Sequence, residues 1–239
     1  MRATTFEFRY RFWVIGAIFW AGFSLYRVDP VNAGYALSVW LSAHTGWPQA
    51  VLLRLIFALA ALITVAAAVL RTWACSFLHS DVVHDGALHS DRLVADGPYR
   101  YLRNPLYLGT ILLAVGMGVM ASRLGFAVIV LGILIFTLRL IGREEAELMA
   151  SQGESYLNYR KAVPCLVPSF SPRVPEGGGR SQWMQSFQGE GFFWGFTIAM
   201  VVFAITLKVV YFWYALGIAF LLYLLNYAML KKQSQSAFD

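Results

Sequence analysis

Six stretches of this chain, roughly residues 12–28, 48–71, 105–122, 124–141, 191–207 and 210–229, are each apolar over about the length of a membrane span. A hydrocarbon core of about 30 Å takes about 20 residues of helix to cross. Nothing else in the sequence narrows the fold as much. In lipid every backbone N–H and C=O must be satisfied internally, and uninterrupted apolar runs of this kind do so as helices. The expected fold class is therefore an all-α integral membrane protein with about six transmembrane helices. Composition agrees, with 59% hydrophobic and 13% charged residues, about half the charged share of a soluble domain. A chain of 239 residues leaves room for one compact bundle, read as a single domain over 1–239. The first stretch follows Arg2, Arg9 and Arg11 and lacks a small-residue cleavage site, so it reads as a retained helix and not a removable signal.

The basic residues set an expected orientation. With a cytoplasmic N-terminus and an even number of spans, fifteen of the 19 Lys and Arg residues fall on the cytoplasmic side, and only Arg27, Arg54, Arg123 and Lys208 fall on the far side. That asymmetry is the positive-inside pattern, and it puts both termini and both long polar loops in the cytoplasm. The multi-pass protein is expected in the cell inner membrane, since no organelle signal is visible. The net charge of +6 is scattered over membrane-flanking segments without a nucleic-acid motif, so lipid headgroups, and no nucleic acid, are the expected partners. Cys75 and Cys165 are too isolated for a metal pattern. His79, His84 and His89 recur every five residues, about 140° apart on a helix, and do not share a face. No metal is expected.

Residues 97–107 read GPYRYLRNPLY, a basic and aromatic string that runs straight into an apolar helix. It places donors and rings where a membrane helix meets water, as a site for a polar molecule beside lipid requires. Asp96-Gly97-Pro98 is a turn signal. A second polar segment, about 142–188, opens GREEAELMASQGESYLNYRKAVP with helical spacing up to Gly153, then passes through PSFSPRVPEGGGR, an irregular Pro/Gly linker.

The order GPYRYLRNPLYLG, an apolar hairpin, RLIGREEAEL, then GESYLNYRKAVPCLVPS resembles the isoprenylcysteine carboxyl methyltransferase family and its phospholipid N-methyltransferase relatives, over about residues 70–170. The resemblance implies an integral-membrane methyltransferase that uses S-adenosylmethionine, with a cytoplasmic cofactor site built from the C-terminal core. It matches the family's cofactor-contacting stretch to Asp91, Arg92, Leu93 and Val94 and its following tyrosine to Tyr99. Its RHPxY motif falls on Arg103, Asn104, Pro105, Leu106 and Tyr107, its acidic pair on Glu144 and Glu145, and its acceptor-facing arginine on Arg139. Arg139 and Glu144 are thus the candidates for the chemical step. Gly116-Met117-Gly118 resembles the GxG of the phospholipid branch, but its place inside an apolar helix favours close helix packing.

The chemistry fits these residue types. S-adenosylmethionine offers a carboxylate, an ammonium, a sulfonium and an adenine, which call for donors, carboxylates and aromatic or aliphatic walls. A lipophilic or small acceptor would reach the same place from the bilayer. A carboxylate acceptor needs no base and suits Arg139, whereas an amine must lose a proton, which Glu144 or Glu145 can take. Each residue also has a plainer role: arginines anchor helix ends at headgroups, and an acidic pair suits a helix start. Two other classes stay open, an NADPH-dependent sterol-type reductase and a non-enzymatic scaffold or transporter. Asn104 stands where the carboxyl methyltransferases have histidine and Cys165 where relatives often have arginine. Residues 191–229 form an added apolar hairpin, expected to pack on lipid and neighbouring helices apart from the cofactor site, shaping the acceptor's entrance or a homo-oligomer contact.

Overall fold

The computed structural model describes residues 2–78 and 95–236, and they are helical with no strand among them. The helices are α1 (Thr5–Arg9), α2 (Arg11–Ser24), α3 (Ala33–Thr45), α4 (Gln49–Phe77), α5 (Pro105–Gly118), α6 (Arg123–Gln152), α7 (Glu154–Ala162), α8 (Trp183–Gly189), α9 (Gly191–Thr206) and α10 (Val209–Ser236). Every one of the six apolar stretches is helical. Among the described residues, however, only α4, α6 and the Val209–Asn226 part of α10 qualify as membrane spans by length and apolarity, with α8 and α9 a fourth if that pair, bent by 70°, is one broken span. Helices α2 and α5 have 14 residues each and rise only about 21 Å. Both end early because the chain turns, at the 3-10 turn Leu25–Arg27 and after Gly118.

Two elements differ from the sequence reading. Helix α3 is an addition, started by Asn32, whose side chain accepts from the Tyr35 N–H at 2.9 Å, and stopped at Gly46 with φ 71°. The helical spacing after residue 141 is the direct continuation of α6, which carries its polar last turns to Gly153, at φ 52°.

Small residues let the central helices approach closely. A Cβ on Gly116 would lie 2.8 Å from the Ala60 carbonyl oxygen, so α5 lies against α4 there, which is the packing role expected of that glycine. Phe57, Ala60 and Ala67 of α4, Leu113 and Met117 of α5, and Met200 and Phe203 of α9 make the main core, with Phe57 and Phe203 edge to face at 4.9 Å. At one end of the bundle, the Asn32 amide donates to the Met120 carbonyl at 2.9 Å and Arg123 pairs with Asp29 at 2.9 Å. The Arg123 guanidinium, with the Leu124 and Val31 N–H groups, holds the Asp29 carboxyl below its ordinary range. The opposite end collects the last turns of α4 and α6 and the first turns of α5 and α9.

Candidate active site

At that second end the chain enters α5 through the 3-10 turn Gly97–Arg100. Gly97 has φ 55°, and a Cβ there would lie 2.3 Å from the Phe77 ring. Only glycine takes this corner without strain. Tyr99 is buried behind it, and its carbonyl accepts the Tyr159 hydroxyl at 2.8 Å. Pro105 then occupies the first helical position, where its fixed φ suits the helix and its missing N–H costs nothing.

The acidic pair lies opposite this turn and splits in two directions, because adjacent helical residues point about 100° apart. Glu145, buried, is the centre of a charged cluster. Its Oε1 is 3.0 Å from Arg103 Nε, 2.9 Å from Arg103 Nη2 and 3.4 Å from Asn104 Nδ2, and its Oε2 is 3.4 Å from Arg160 Nε. Arg103 Nη1 donates to the Arg160 and Val163 carbonyls at 2.8 and 2.5 Å. The Asn104 amide also donates to the Cys165 carbonyl at 3.2 Å. Burial raises the Cys165 thiol, with the Glu145 charge adding to it. Glu144, half-buried, instead accepts the Tyr107 hydroxyl at 2.6 Å. The two carboxylates are therefore chemically distinct: Glu145 is paired with arginines at hydrogen-bond distance, whereas Glu144 is held by the Tyr107 phenol, with the Arg11 charge acting on it as well.

A returning segment of irregular chain clamps the motif from outside. Arg103 N donates to the Pro164 carbonyl at 2.9 Å, Ser169 N to the Tyr101 carbonyl at 3.0 Å, and Arg173 N to the Arg100 carbonyl at 2.9 Å. Arg100 Nε donates to the Val174 carbonyl at 3.1 Å. The Asp96 carboxylate accepts the Gly177 and Gly179 N–H groups at 2.6 and 2.8 Å. The Pro/Gly linker of the sequence reading is thus a strap running antiparallel to residues 96–103.

Tyr99, Arg103, Asn104, Pro105, Leu106, Tyr107, Glu144 and Glu145 come together at this end. Asp91, Arg92, Leu93 and Val94, like the three histidines His79, His84 and His89, lie outside the described residues. Arg139 does not open toward the motif. Its Nη2 lies 2.7 and 2.9 Å from the two oxygens of Glu7, and its carbonyl accepts the Ala3 N–H at 2.9 Å. Helix α1 is thereby docked on α6, with Phe8 packed beside Phe136, Leu140 and Tyr107. Arg143 joins it, paired with Glu147 at 2.8 Å and lying 5.2 Å above the Phe8 ring.

Sequence reasoning missed two residues that reach this site. Arg71, near the end of α4, sends Nη1 to the Leu106 carbonyl at 3.0 Å and to Thr110 Oγ1 at 3.1 Å. Its Nε and Nη2 lie 2.6 and 2.8 Å from the carboxylate of Glu190. Both were findable, since an ionisable residue within or directly beside an apolar span is a functional candidate by default.

Residues 55–152 match the phospholipid methyltransferase family. The protein-S-isoprenylcysteine O-methyltransferase of Schizosaccharomyces pombe is 39% identical over 80 residues, 32% of this chain and 33% of that protein. The methanethiol S-methyltransferase of Crocosphaera subtropica is 41% identical over 71 residues, 29% of this chain and 27% of that protein. The cobalt-zinc-cadmium resistance protein CzcN of Cupriavidus metallidurans is 26% identical over 157 residues, 64% of this chain and 68% of that protein. The chain thus spans about a third or less of the two methyltransferases. No solved structure matches significantly. The matched segment contains the 99–107 turn, Arg139 and the split acidic pair, and over it this helical membrane protein is similar to the phospholipid methyltransferase family.

Proposed function

We propose that the chain transfers a methyl group from S-adenosylmethionine to a neutral, protonated nucleophile, a thiol or amine, on a small or lipophilic acceptor at the membrane surface. The observation that carries this is the contrast between Glu144 on the Tyr107 hydroxyl and Glu145 among Arg103, Arg160 and Asn104. S-adenosylmethionine supplies an electrophilic methyl group when bound. Glu145, with Asn104, Pro105, Leu106, Tyr99 and, as the family resemblance implies, Asp91, Arg92, Leu93 and Val94, would hold it, and the donor and carboxylate types fit its charges. Glu144 would take the proton that the thiol or amine gives up on methylation. Tyr107 fixes the Glu144 carboxylate for that transfer. Positioning and exclusion of water are the remaining contributions.

A carboxylate acceptor, favoured by the likeness to an isoprenylcysteine O-methyltransferase, needs a cation and no base. Its expected cation, Arg139, already holds Glu7. The likeness to a methanethiol S-methyltransferase points the same way as Glu144. Arg71, Arg100, Arg103, Arg139, Arg143 and Arg160 gather at the site end and Arg27, Arg54, Arg123 and Lys208 toward the other, which supports a cytoplasmic site end by the positive-inside rule.

The test is methyl transfer by purified protein from labelled S-adenosylmethionine to matched thiol, amine and carboxylate acceptors, with NADPH as a control in thermal-shift binding. Stabilisation by S-adenosylmethionine and methylation of a thiol or amine that Glu144→Gln abolishes are expected. Carboxylate methylation untouched by Glu144→Gln would overturn the acceptor class, and stabilisation by NADPH alone would overturn the methyl donor.

A further inference from the structure

The chain's C-terminal hairpin lies outside the family-matched segment 55–152, yet it sends one carboxylate into the core. Glu190 sits at the 70° bend between α8 and α9 and is 1% exposed. Both its oxygens face Arg71, at 2.6 and 2.8 Å, and Oε1 also accepts the Cys75 thiol at 3.2 Å. Arg71 is itself 6% exposed, and its guanidinium lies 3.8 Å from the centroid of the Phe193 ring. Its remaining donors reach Leu106 and Thr110. Leu106 stands between Pro105 and Tyr107, in the first turn of α5. A Cβ on Gly109 would lie 2.4 Å from Arg71 Cγ, so α5 leaves a channel for this side chain to pass.

A buried pair of this kind is a poor way to gain stability, because desolvation consumes most of the attraction and an apolar pair of similar volume is often equally stable. What the pair does supply is direction. An arginine presents its donors in one plane as a rigid fork. Fixing two edges of that fork on Glu190 fixes where Nη1 points, namely the carbonyl beside Tyr107. The α9 helix adds two more polar ties to α4, Trp194 Nε1 to Thr72 Oγ1 at 3.0 Å and Thr197 Oγ1 to the Thr64 carbonyl at 3.1 Å. The carboxylate of the hairpin is therefore held in place as firmly as the arginine it holds.

We infer that Glu190 is a positioning residue for methyl transfer: acting through Arg71, it sets the first turn of α5 so that the Tyr107 hydroxyl meets Glu144. The hairpin is then part of the scaffold of the site and not an accessory to it. This rests on the reading of Tyr107 and Glu144 as the proton-accepting pair.

The experiment compares the full-length protein with Glu190→Gln, Arg71→Met and the double variant Arg71→Met/Glu190→Met. It reads thermal stability, hydrogen exchange at residues 107–110, and kcat and KM for methyl transfer. Each single variant leaves a buried group without its partner and should lose stability. The double variant should recover that stability, while exchange at 107–110 stays fast and kcat stays down by roughly ten- to a hundredfold, the scale of loss for a group misplaced by about 1 Å. KM for the acceptor should move little. Recovery of both kcat and exchange protection in the double variant would reduce the pair to mutual charge compensation and overturn the inference, as would single variants with unaltered kcat. If the folded wild type transferred no methyl group, the functional reading would fall, whereas the exchange comparison would still decide whether Glu190 and Arg71 set the α5 turn.

Discussion

At the scale of single residues, the neighbouring acids should behave differently. Glu144→Gln should stop proton acceptance while leaving the fold intact, since Gln can still accept the Tyr107 hydroxyl. Tyr107→Phe should lower kcat less severely, by removing only the group that orients the base. Glu145→Gln removes a charged partner from Arg103, with side chains 11% and 10% exposed. It should cost about 1.5–3 kcal/mol of stability in a thermal melt and weaken binding of S-adenosylmethionine. The motif was legible because Arg103, Asn104 and the acids have recognisable types and order. The orientations were not, because which of two adjacent acids faces an arginine depends on how α6 rolls against α5. Arg139 shows the same limit. Its partner Glu7 lies 132 positions away, at the third position of a capping box with Thr4. The Thr4 N–H and then Arg139 pull the Glu7 carboxyl from 4.5 to about 2. A carboxyl lowered on folding contributes fully above about pH 4.5 and is lost as pH falls through about 2. Helix α1 should therefore stay docked at pH 4 and loosen only near pH 2, read by hydrogen exchange of residues 3–9 corrected for intrinsic rates. Release near pH 4 would mean that Glu7 does not hold Arg139.

At the scale of elements, glycine marks where helices touch. Gly116→Ala would push a Cβ to 2.8 Å from the Ala60 carbonyl oxygen, which belongs to backbone and cannot swing aside. The expected loss is about 1–3 kcal/mol, typical of overpacking. Gly118→Ala meets the Phe126 ring at 3.1 Å, a side chain that can give, and should cost less in the same detergent melt. Equal losses would contradict this account of the α4–α5 contact. The apolar runs were readable as helices because lipid leaves the backbone no alternative. Helix α3 was passed over because its serines, threonine and histidine dilute the apolar signal. Its ends were nevertheless written in Asn32 and Gly46, a cap on each side. Helix α6 was cut short on paper for the opposite reason: its composition changes near residue 142, but its backbone has no reason to stop before Gly153.

At the scale of the whole molecule, the contact between Arg71 and Glu190 joins residues 119 positions apart, a separation no local pattern encodes. The sequence therefore read the C-terminal hairpin as separable, with a truncation after about residue 185 expected to keep the methyl-donor site. The structure makes such a cut costly, because it leaves the Arg71 guanidinium buried without its carboxylate. Chains ending at residue 189 should lose about 3–5 kcal/mol from the broken pair on top of the core contacts of Met200 and Phe203, and Arg71→Met in the same truncation should restore only the ion-pair share, measured by unfolding in detergent. A truncation as stable as the full chain would show that Arg71 finds another partner.

The antiparallel strap over residues 96–103 also bears on how the protein is made. The chain is synthesised from its N-terminus, so the 97–107 turn enters the membrane surface before Pro164, Ser169, Arg173, Gly177 and Gly179 exist to bond it. Until then the Asp96 carboxylate and the carbonyls of Arg100 and Tyr101 have only water or lipid headgroups as partners. The segment shared with the family is translated first but cannot close alone. Ribosome-bound chains arrested near residue 155 should leave this turn open to protease, and chains arrested with residue 190 clear of the exit tunnel should protect it. Biogenesis of the site is thus timed by residues that sit beyond it.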